Sequence, residues 1–182
     1  MSLLSYDELC ILVAKGVIEN CPAELINGTS IDVTLANTIL IERQPRLHVR
    51  QLIDYSRRDR PHLYEEHLNG GGYTLAPGEF VLAATQQVFN LPLNIGMEYK
   101  LKSSQARCGL NHLNAGWADP GWHGSALTLE FVNTTRYHHI VLHAGDRVGQ
   151  VVFYRCASVP EEASYKLRGR YNGDRGVSRI KP

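Results

Sequence analysis

Two clusters of polar residues in the C-terminal half of the sequence could carry chemistry. The first is Ser103, Ser104 and Arg107, which follow a β-rich run. Their hydroxyls, guanidinium and backbone N–H groups would suit phosphate or carbonyl oxygens. A capped turn with a surface arginine would leave the same pattern, because short Ser/Arg clusters are common in turns. The residues alone therefore leave an anion-binding turn and a structural turn both open.

The second is Glu130, a carboxylate within the otherwise apolar strand pattern of residues 127–132. Alternation along a strand places its side chain on one face with Thr128 and Val132. A carboxylate on a buried face is costly unless it has partners, and such a group is a frequent choice for moving protons in catalysis. The same alternation also allows an exposed glutamate on the solvent face, so both interpretations remain.

Residues 114–122 lie between these clusters and are mostly small. Small residues let a ligand approach the backbone closely, although Asp-Pro-Gly at residues 119–121 is also a common turn sequence. Trp117 and Trp122 are more often core or interface side chains than platforms for a nucleobase. The segment is a candidate pocket loop, with an ordinary turn as the alternative.

The cysteines and histidines do not show the spacing of a metal site. The four cysteines form no CxxC pair, and the only adjacent histidines, His138 and His139, would point to opposite faces of a strand. Disulfides are rare in a reducing compartment. We therefore expect no zinc site and four free thiols.

The composition is that of a globular chain with nearly balanced charge. The 182 residues are 43% hydrophobic, which is enough to bury a core and suggests a single domain over residues 1–182. A net charge of +1 argues against a protein that coats nucleic acid, but allows a small anionic ligand held by a few arginines. With no long apolar run and an acidic pair near the N-terminus, we expect a cytoplasmic protein without a membrane segment.

The elements that must position the polar clusters are mainly β in pattern. Residues 5–19 resemble a helix, with Ser5 as N-cap and Glu8 completing a capping box. Short strand signals separated by glycine and proline turns then predict a β-sandwich or barrel rather than a doubly wound α/β sheet. The predicted strands are 30–35, 38–42, 73–75, 79–85, 88–89, 98–102, 127–132, 140–142 and 149–154.

Two segments fall outside this strand pattern. Residues 43–72 are polar and rich in Arg, His and Tyr, and we interpret them as an excursion with a helical piece at residues 64–68. Residues 160–182 are polar and basic with several glycines. That composition predicts either a disordered end or a flexible segment that orders over a ligand.

Ordered motifs along most of the chain resemble those of the dCTP deaminase family, within the dUTPase-like superfamily. An ordered set of motifs is more specific than any single one. The matching segments are Asn27–Leu35 (NGTSIDVTL), Leu75–Ala83 (LAPGEFVLA), Ser103–Leu110 (SSQARCGL), Asp119–Trp122 (DPGW), Thr128–Phe131 (TLEF) and Arg170–Arg179 at the C-terminus.

The resemblance implies a distorted antiparallel β-barrel of dUTPase-like type, with an N-terminal helix and a flexible C-terminal lid, residues 160–182, over the nucleotide. It implies a homotrimer with active sites shared between subunits. The implied reaction is hydrolysis of dCTP, or a closely related deoxycytidine nucleotide, to dUTP and ammonia. Mg²⁺ would be bound through the triphosphate, and the deamination would use no zinc.

The resemblance also implies roles for single residues. Glu130 would relay protons at the base, and Arg107 would neutralise charge beside it. Ser103 and the backbone near Ala115 would position the water and the pyrimidine. Asp119 would lie near the deoxyribose, where the equivalent residue of dUTPases activates water against the α-phosphate. Substrate contacts are further implied for Lys102, Ser104, Tyr165, Arg170 and Arg179.

Departures from the family pattern keep other functions open. The loop over residues 111–129 is shorter than usual before its Ala-Gly-Trp segment and longer between Asp119 and Glu130, and residues 172–175 replace the usual glutamines. Ala-Gly-Trp at residues 115–117 is similar to bifunctional members that make dUMP and pyrophosphate. Release of dUTP is our main expectation, with that bifunctional enzyme and a non-catalytic nucleotide-binding regulator as alternatives. Glu130 disfavours a plain dUTPase, which lacks this carboxylate.

Overall fold

Antiparallel strands dominate the computed structural model, which describes residues 2–43, 52–57 and 59–181. Its helices are α1 (Tyr6–Ala14), α2 (Ser103–Arg107) and α3 (Tyr165–Arg168). Its strands are β1 (Ser2–Leu3), β2 (Ile18–Glu19), β3 (Ile31–Thr34), β4 (Thr38–Glu42), β5 (Leu63–His67), β6 (Tyr73–Leu75), β7 (Phe80–Asn90), β8 (Ile95–Leu101), β9 (Leu110–His112), β10 (Trp117–Ala118), β11 (His123–Asn133), β12 (Ile140–Leu142) and β13 (Arg147–Arg155). Across these described ranges, no helix combines the length and apolar composition of a membrane span.

The N-terminal helix begins as predicted and ends early. The Glu8 carboxylate accepts the backbone N–H of Ser5 at 2.9 Å, which satisfies a donor at the helix start. The helix ends at Ala14, Gly16 adopts a left-handed φ of 71°, and β2 begins at Ile18. The prediction of a helix as far as residue 19 is therefore wrong at its C-terminal end.

Three antiparallel sheets carry the fold. The first has the order β1-β13-β8-β10 with β3 also paired to β13, the second has the order β5-β4-β7-β11-β9 with β2 also paired to β7, and β12 pairs with β6. One large hydrophobic cluster draws side chains from all three sheets and includes the fully buried Phe89, Phe131 and Phe153. Burying an aromatic side chain of this size contributes about 1.5–3 kcal/mol, so this cluster holds the sheets together.

The predicted antiparallel, mainly β architecture with an N-terminal helix is confirmed. The strands that the structure describes form separate sheets rather than one closed hydrogen-bonded barrel. The helical piece predicted at residues 64–68 is wrong, because residues 63–67 form β5 and pair with β4. The strands predicted at 79–85 and 88–89 are one strand, β7, which continues through Gln87. That buried amide accepts the N–H of Thr34 at 2.9 Å, so a polar residue is tolerated inside the strand.

The C-terminal segment returns along the start of β11. The N–H of Gly173 donates to the His123 carbonyl at 3.1 Å, and the N–H of Ala126 donates to the Asp174 carbonyl at 2.7 Å. These bonds bring the tail against the body of its own chain. Its opening and closing over a ligand stays a prediction.

Candidate active site

A cavity of about 700 Å³ lies between the sheet that contains β11 and the C-terminal tail. This volume is within the range of pockets that bind small molecules. Strands β7, β10 and β11, residues 53, 55 and 59–61, and the tail each contribute part of the wall. The cavity is therefore assembled from segments far apart in the sequence.

Glu130 brings its carboxylate to this cavity from the middle of β11, where it lies opposite Leu82 of β7. Its Oε2 atom is buried and lies 3.3 Å from Nε2 of His112. Neither atom has a hydrogen-bond partner among the residues that the structure describes. A buried polar atom without a partner destabilises the fold, so this pair is better explained by chemistry than by stability.

His112 reaches Glu130 through the pairing of two strands. β9 pairs with β11 so that His112 lies opposite Phe131, and its ring packs on Tyr99 with 4.4 Å between ring centroids. Burial, and then the charge of Glu130, raise the pKa of Tyr99. Oε2 of Glu130 therefore lies against the buried His112 ring, while the Glu130 side chain as a whole is 25% exposed. Sequence reasoning missed His112, because its nearness to Glu130 depends on which strands pair.

The tail is held at the cavity by residues of β11 and the turn before it. The indole N–H of Trp122 and the hydroxyl of Ser125 both donate to the Tyr171 carbonyl, each at 2.8 Å. Further along the strand, the hydroxyls of Thr128 and Ser178 lie 3.1 Å apart. The buried Trp122 is thus a side chain of the core that also anchors the tail.

Asp174 is a second acidic group at the cavity, and it stands in the tail segment that departs from the family pattern. Its Oδ1 atom accepts a hydrogen bond from the Lys181 ammonium at 2.7 Å, while its Oδ2 atom is buried with no partner among the described residues. Lys181 also lies over the Tyr171 ring, 5.4 Å from its centroid. Lys181 therefore links the end of the tail to Tyr171 and Asp174.

The Ala-Gly-Trp segment passes close to β8. A Cβ at Gly116 would lie 2.8 Å from the Tyr99 carbonyl oxygen, so only glycine fits there. Its sequence neighbours Ala115 and Trp117 both line the cavity. The Trp117 indole N–H donates to the Asp119 carboxylate at 2.9 Å, which orients that carboxylate. Asp119 itself is exposed and does not line the cavity.

The Ser–Arg cluster lies elsewhere. Residues 103–107 form the short helix α2 rather than a plain turn, and Ser103, Ser104 and Arg107 are exposed. Arg107 borders a second cavity of about 650 Å³ and does not line the Glu130 cavity. Lys102, directly before α2, forms an ion pair with the buried Asp32 at 2.6 Å.

The structure thus divides the predicted site residues into two groups. Glu130, Ala115, Tyr165 and Arg179 line the large cavity, whereas the residues of α2 lie outside it. Arg170 is exposed, and its backbone carbonyl accepts a hydrogen bond from the Lys181 ammonium at 3.0 Å. Burial raises the pKa of Tyr165, so its phenol stays protonated at neutral pH.

Within the described part of the chain, no three His, Cys, Asp or Glu side chains are arranged to hold a metal ion.

Comparison with known proteins gives a consistent set of relatives. A family model described as dCTP deaminase-like matches residues 3–156. A protein from Corynebacterium glutamicum (strain R) named dCTP deaminase, dUMP-forming, is 36% identical over 170 residues, which cover 87% of this chain and 84% of the relative. A protein of the same name from Nocardioides sp. is 34% identical over 180 residues, which cover 96% and 92% of the two chains.

Among solved structures, the 2'-deoxycytidine 5'-triphosphate deaminase from Agrobacterium tumefaciens is similar to this chain with a TM-score of 0.64 and 22% identity. The match covers 83% of this chain and 47% of that one, so the chain spans less than half of its length. At this identity the likeness supports the fold, and the predicted dUTPase-like fold class agrees with it.

Proposed function

The chain belongs to the dCTP deaminase-like family, and on that premise we propose that it deaminates dCTP and then cleaves the product to dUMP and pyrophosphate. Each step consumes one water molecule, and the first releases ammonia. The observation that carries the proposal is the buried, unpartnered Oε2 of Glu130 at a cavity of nucleotide size. The substrate is the Mg²⁺ complex of dCTP, because phosphate oxygens are ligands that Mg²⁺ prefers.

Deamination needs protons moved between water and the base, and we assign that task to Glu130. Water adds to C4 of cytosine as Glu130 accepts one of its protons and passes it to ring N3. Glu130 then takes the second proton from the C4 hydroxyl of the adduct and delivers it to the leaving amine. Ammonia departs as the C4 carbonyl forms. Ser103 and the backbone near Ala115 would hold the water and the pyrimidine, and Arg107 would balance the charge of Glu130. No zinc takes part in this proposed step.

We propose that the α2 residues reach the cavity from an adjoining subunit of a homotrimer. Glu130 and Arg107 border different cavities of one chain, although the chemistry needs both at one nucleotide. An active site between subunits would join the two groups. The tail residues Tyr165, Arg170 and Arg179, with Lys102 and Ser104, would contact the nucleotide, and the closed tail would exclude water from it.

The second step, cleavage between the α- and β-phosphates, is assigned to Asp119. By resemblance to dUTPases its carboxylate would activate a water against the α-phosphate. The hydrogen bond from Trp117 supports this assignment, because it orients the carboxylate. The relatives are named dUMP-forming, which favours this bifunctional alternative over our main expectation of free dUTP.

A trapping experiment distinguishes the products. The protein is mixed with radiolabelled dCTP and Mg²⁺ in the presence of a large excess of unlabelled dUTP, and labelled nucleotides are separated over time. We expect labelled dUMP to form without labelled dUTP, together with an amount of ammonia equal to the labelled dUMP. Labelled dUTP that accumulates in the pool of unlabelled dUTP would instead indicate a deaminase that releases dUTP. Bound but unchanged dCTP would indicate a regulator.

A further inference from the structure

A buried carboxylate beside α2 holds two cationic side chains. Asp32 in β3 is 1% exposed. Its two oxygens lie 2.6 and 2.7 Å from the Lys102 ammonium, and Oδ2 lies 3.4 Å from the Arg147 guanidinium. The Asn27 amide donates to Oδ1 at 2.9 Å. Asp32 is therefore fully partnered, in contrast to Glu130.

The cluster carries one positive charge more than its carboxylate can balance. Within the described part of the chain, Asp32 is the only carboxylate at ion-pair distance from Lys102 or Arg147. The Lys102 side chain is 29% exposed and the Arg147 side chain 49% exposed. The buried face of the cluster is neutralised, and the surplus charge is presented to solvent.

Both cations are tied to the Ser–Arg helix. Lys102 directly precedes Ser103, the first residue of α2. From inside α2, the Gln105 amide donates to the Arg147 carbonyl at 2.6 Å. The Arg147 guanidinium and the partly exposed Lys102 ammonium therefore lie at the start of the helix, where Lys102 is followed by the exposed Ser103 and Ser104. Such a set of donors binds a multiply charged anion, and the planar arginine fork matches phosphate oxygens.

We propose that Arg147 is a further substrate-binding residue that contacts the β- and γ-phosphates of the nucleotide, and that Asp32 positions Arg147 and Lys102 for this contact. The proposal rests on the proposed function, and it adds a residue that lies outside every motif of the family resemblance. The buried Asp32 keeps both long side chains in place before the nucleotide arrives. Less rotamer entropy is then lost when the phosphates bind.

The test compares ligands that differ only in their phosphates. Binding of dCTP and dCMP is measured by calorimetry in the Glu130→Gln background, where turnover is prevented, with and without Arg147→Gln. Loss of a charge-assisted contact is expected to weaken dCTP binding at least roughly tenfold, while dCMP binding changes by less than about twofold. Arg155→Gln is the matched control, since Arg155 lies on the same strand but pairs with Glu8.

An equal loss for dCTP and dCMP, or no loss for dCTP, would overturn the phosphate contact. Inorganic tripolyphosphate provides a second arm that does not involve the base, and Arg147→Gln should weaken its binding as well. If tripolyphosphate binds as expected while wild-type protein fails to deaminate dCTP, the proposed function is wrong and the anion site stands.

The positioning role of Asp32 is tested with Asp32→Asn, whose folding is checked by circular dichroism. This variant should reproduce the loss of dCTP binding seen with Arg147→Gln. Unchanged dCTP binding would remove the positioning role of Asp32.

Discussion

In the cavity along β11, two carboxylates each keep a buried oxygen without a partner among the described residues, whereas the buried carboxylate beside α2 is fully paired. Glu130 and His112 face each other at 3.3 Å without a hydrogen bond. Asp32, whose side chain is 1% exposed against 25% for Glu130, has three donor side chains around it. Among the described residues, the three buried side-chain atoms without a partner belong to Glu130 and Asp174 at the cavity and to His112 beside Glu130.

This difference separates the tasks of the two regions. Asp32 stabilises a fixed arrangement, because every lone pair that it buries is used. Glu130 retains an unused oxygen, which leaves it free to exchange a proton with a substrate. The Glu130 carboxylate and the Arg107 guanidinium are opposite in charge but border different cavities of one chain. We infer that each chain supplies half of two neighbouring sites.

The largest expected effect comes from removing the unpartnered carboxylate. Glu130→Gln should lower kcat for ammonia release by at least about a hundredfold, because proton transfer is lost. Stabilisation of the variant by dCTP in a thermal melt should persist, since a bound ligand raises the melting temperature. Near-normal ammonia release from this variant would remove Glu130 from the mechanism.

The next prediction tests whether the two regions meet across a subunit boundary. Glu130→Gln and Arg107→Ala should each be inactive alone, but unfolding and refolding them together in equal amounts should restore about one quarter of the wild-type sites by random assembly. Specific activity of the mixture, compared with each refolded variant, measures this recovery. If the mixture stays inactive although trimers form, both residues must act from the same chain.

A smaller effect is expected at the anchor of the tail. Trp122→Phe removes the indole donor to the Tyr171 carbonyl, which costs about 1 kcal/mol and should make the tail more sensitive to limited proteolysis. The matched change beside α2 is Thr134→Val, which removes a hydroxyl that donates to the Gly109 carbonyl at 2.8 Å. Equal cleavage of the tail in both variants would contradict the anchoring role of Trp122.

The smallest effect is a pH dependence confined to the tail. The hydrogen bond from Asn90 and then the Arg175 guanidinium lower the pKa of Glu19, which pairs with that tail arginine at 3.0 Å. A lowered folded-state pKa means that the stabilisation is complete above the ordinary glutamate pKa of about 4.3 and is lost as pH falls through the lower value. Tail proteolysis should therefore rise in this acidic window in the wild type and not in Glu19→Gln.

Local patterns in the sequence predicted most of the strands that position the site. Alternation identified β11 and placed Glu130 within it, and the turn residues marked the strand ends. The same reasoning failed at residues 64–68, because their charged and aromatic residues have no clear period. Pairing with β4 makes them a strand. The same reasoning also divided β7 before Val88, although Gln87 is buried with its amide satisfied by Thr34 and by the Asn20 carbonyl.

The sequence by itself determined which chemical groups are present and the order of the motifs that carry them. Tertiary structure alone decided which groups meet. His112 lies beside Glu130 because of the register between β9 and β11, and Arg147 lies beside Asp32 across a separation of 115 residues. The physical reason is that strand pairing joins distant segments, and a shift of one residue would turn each side chain to the opposite face of its sheet.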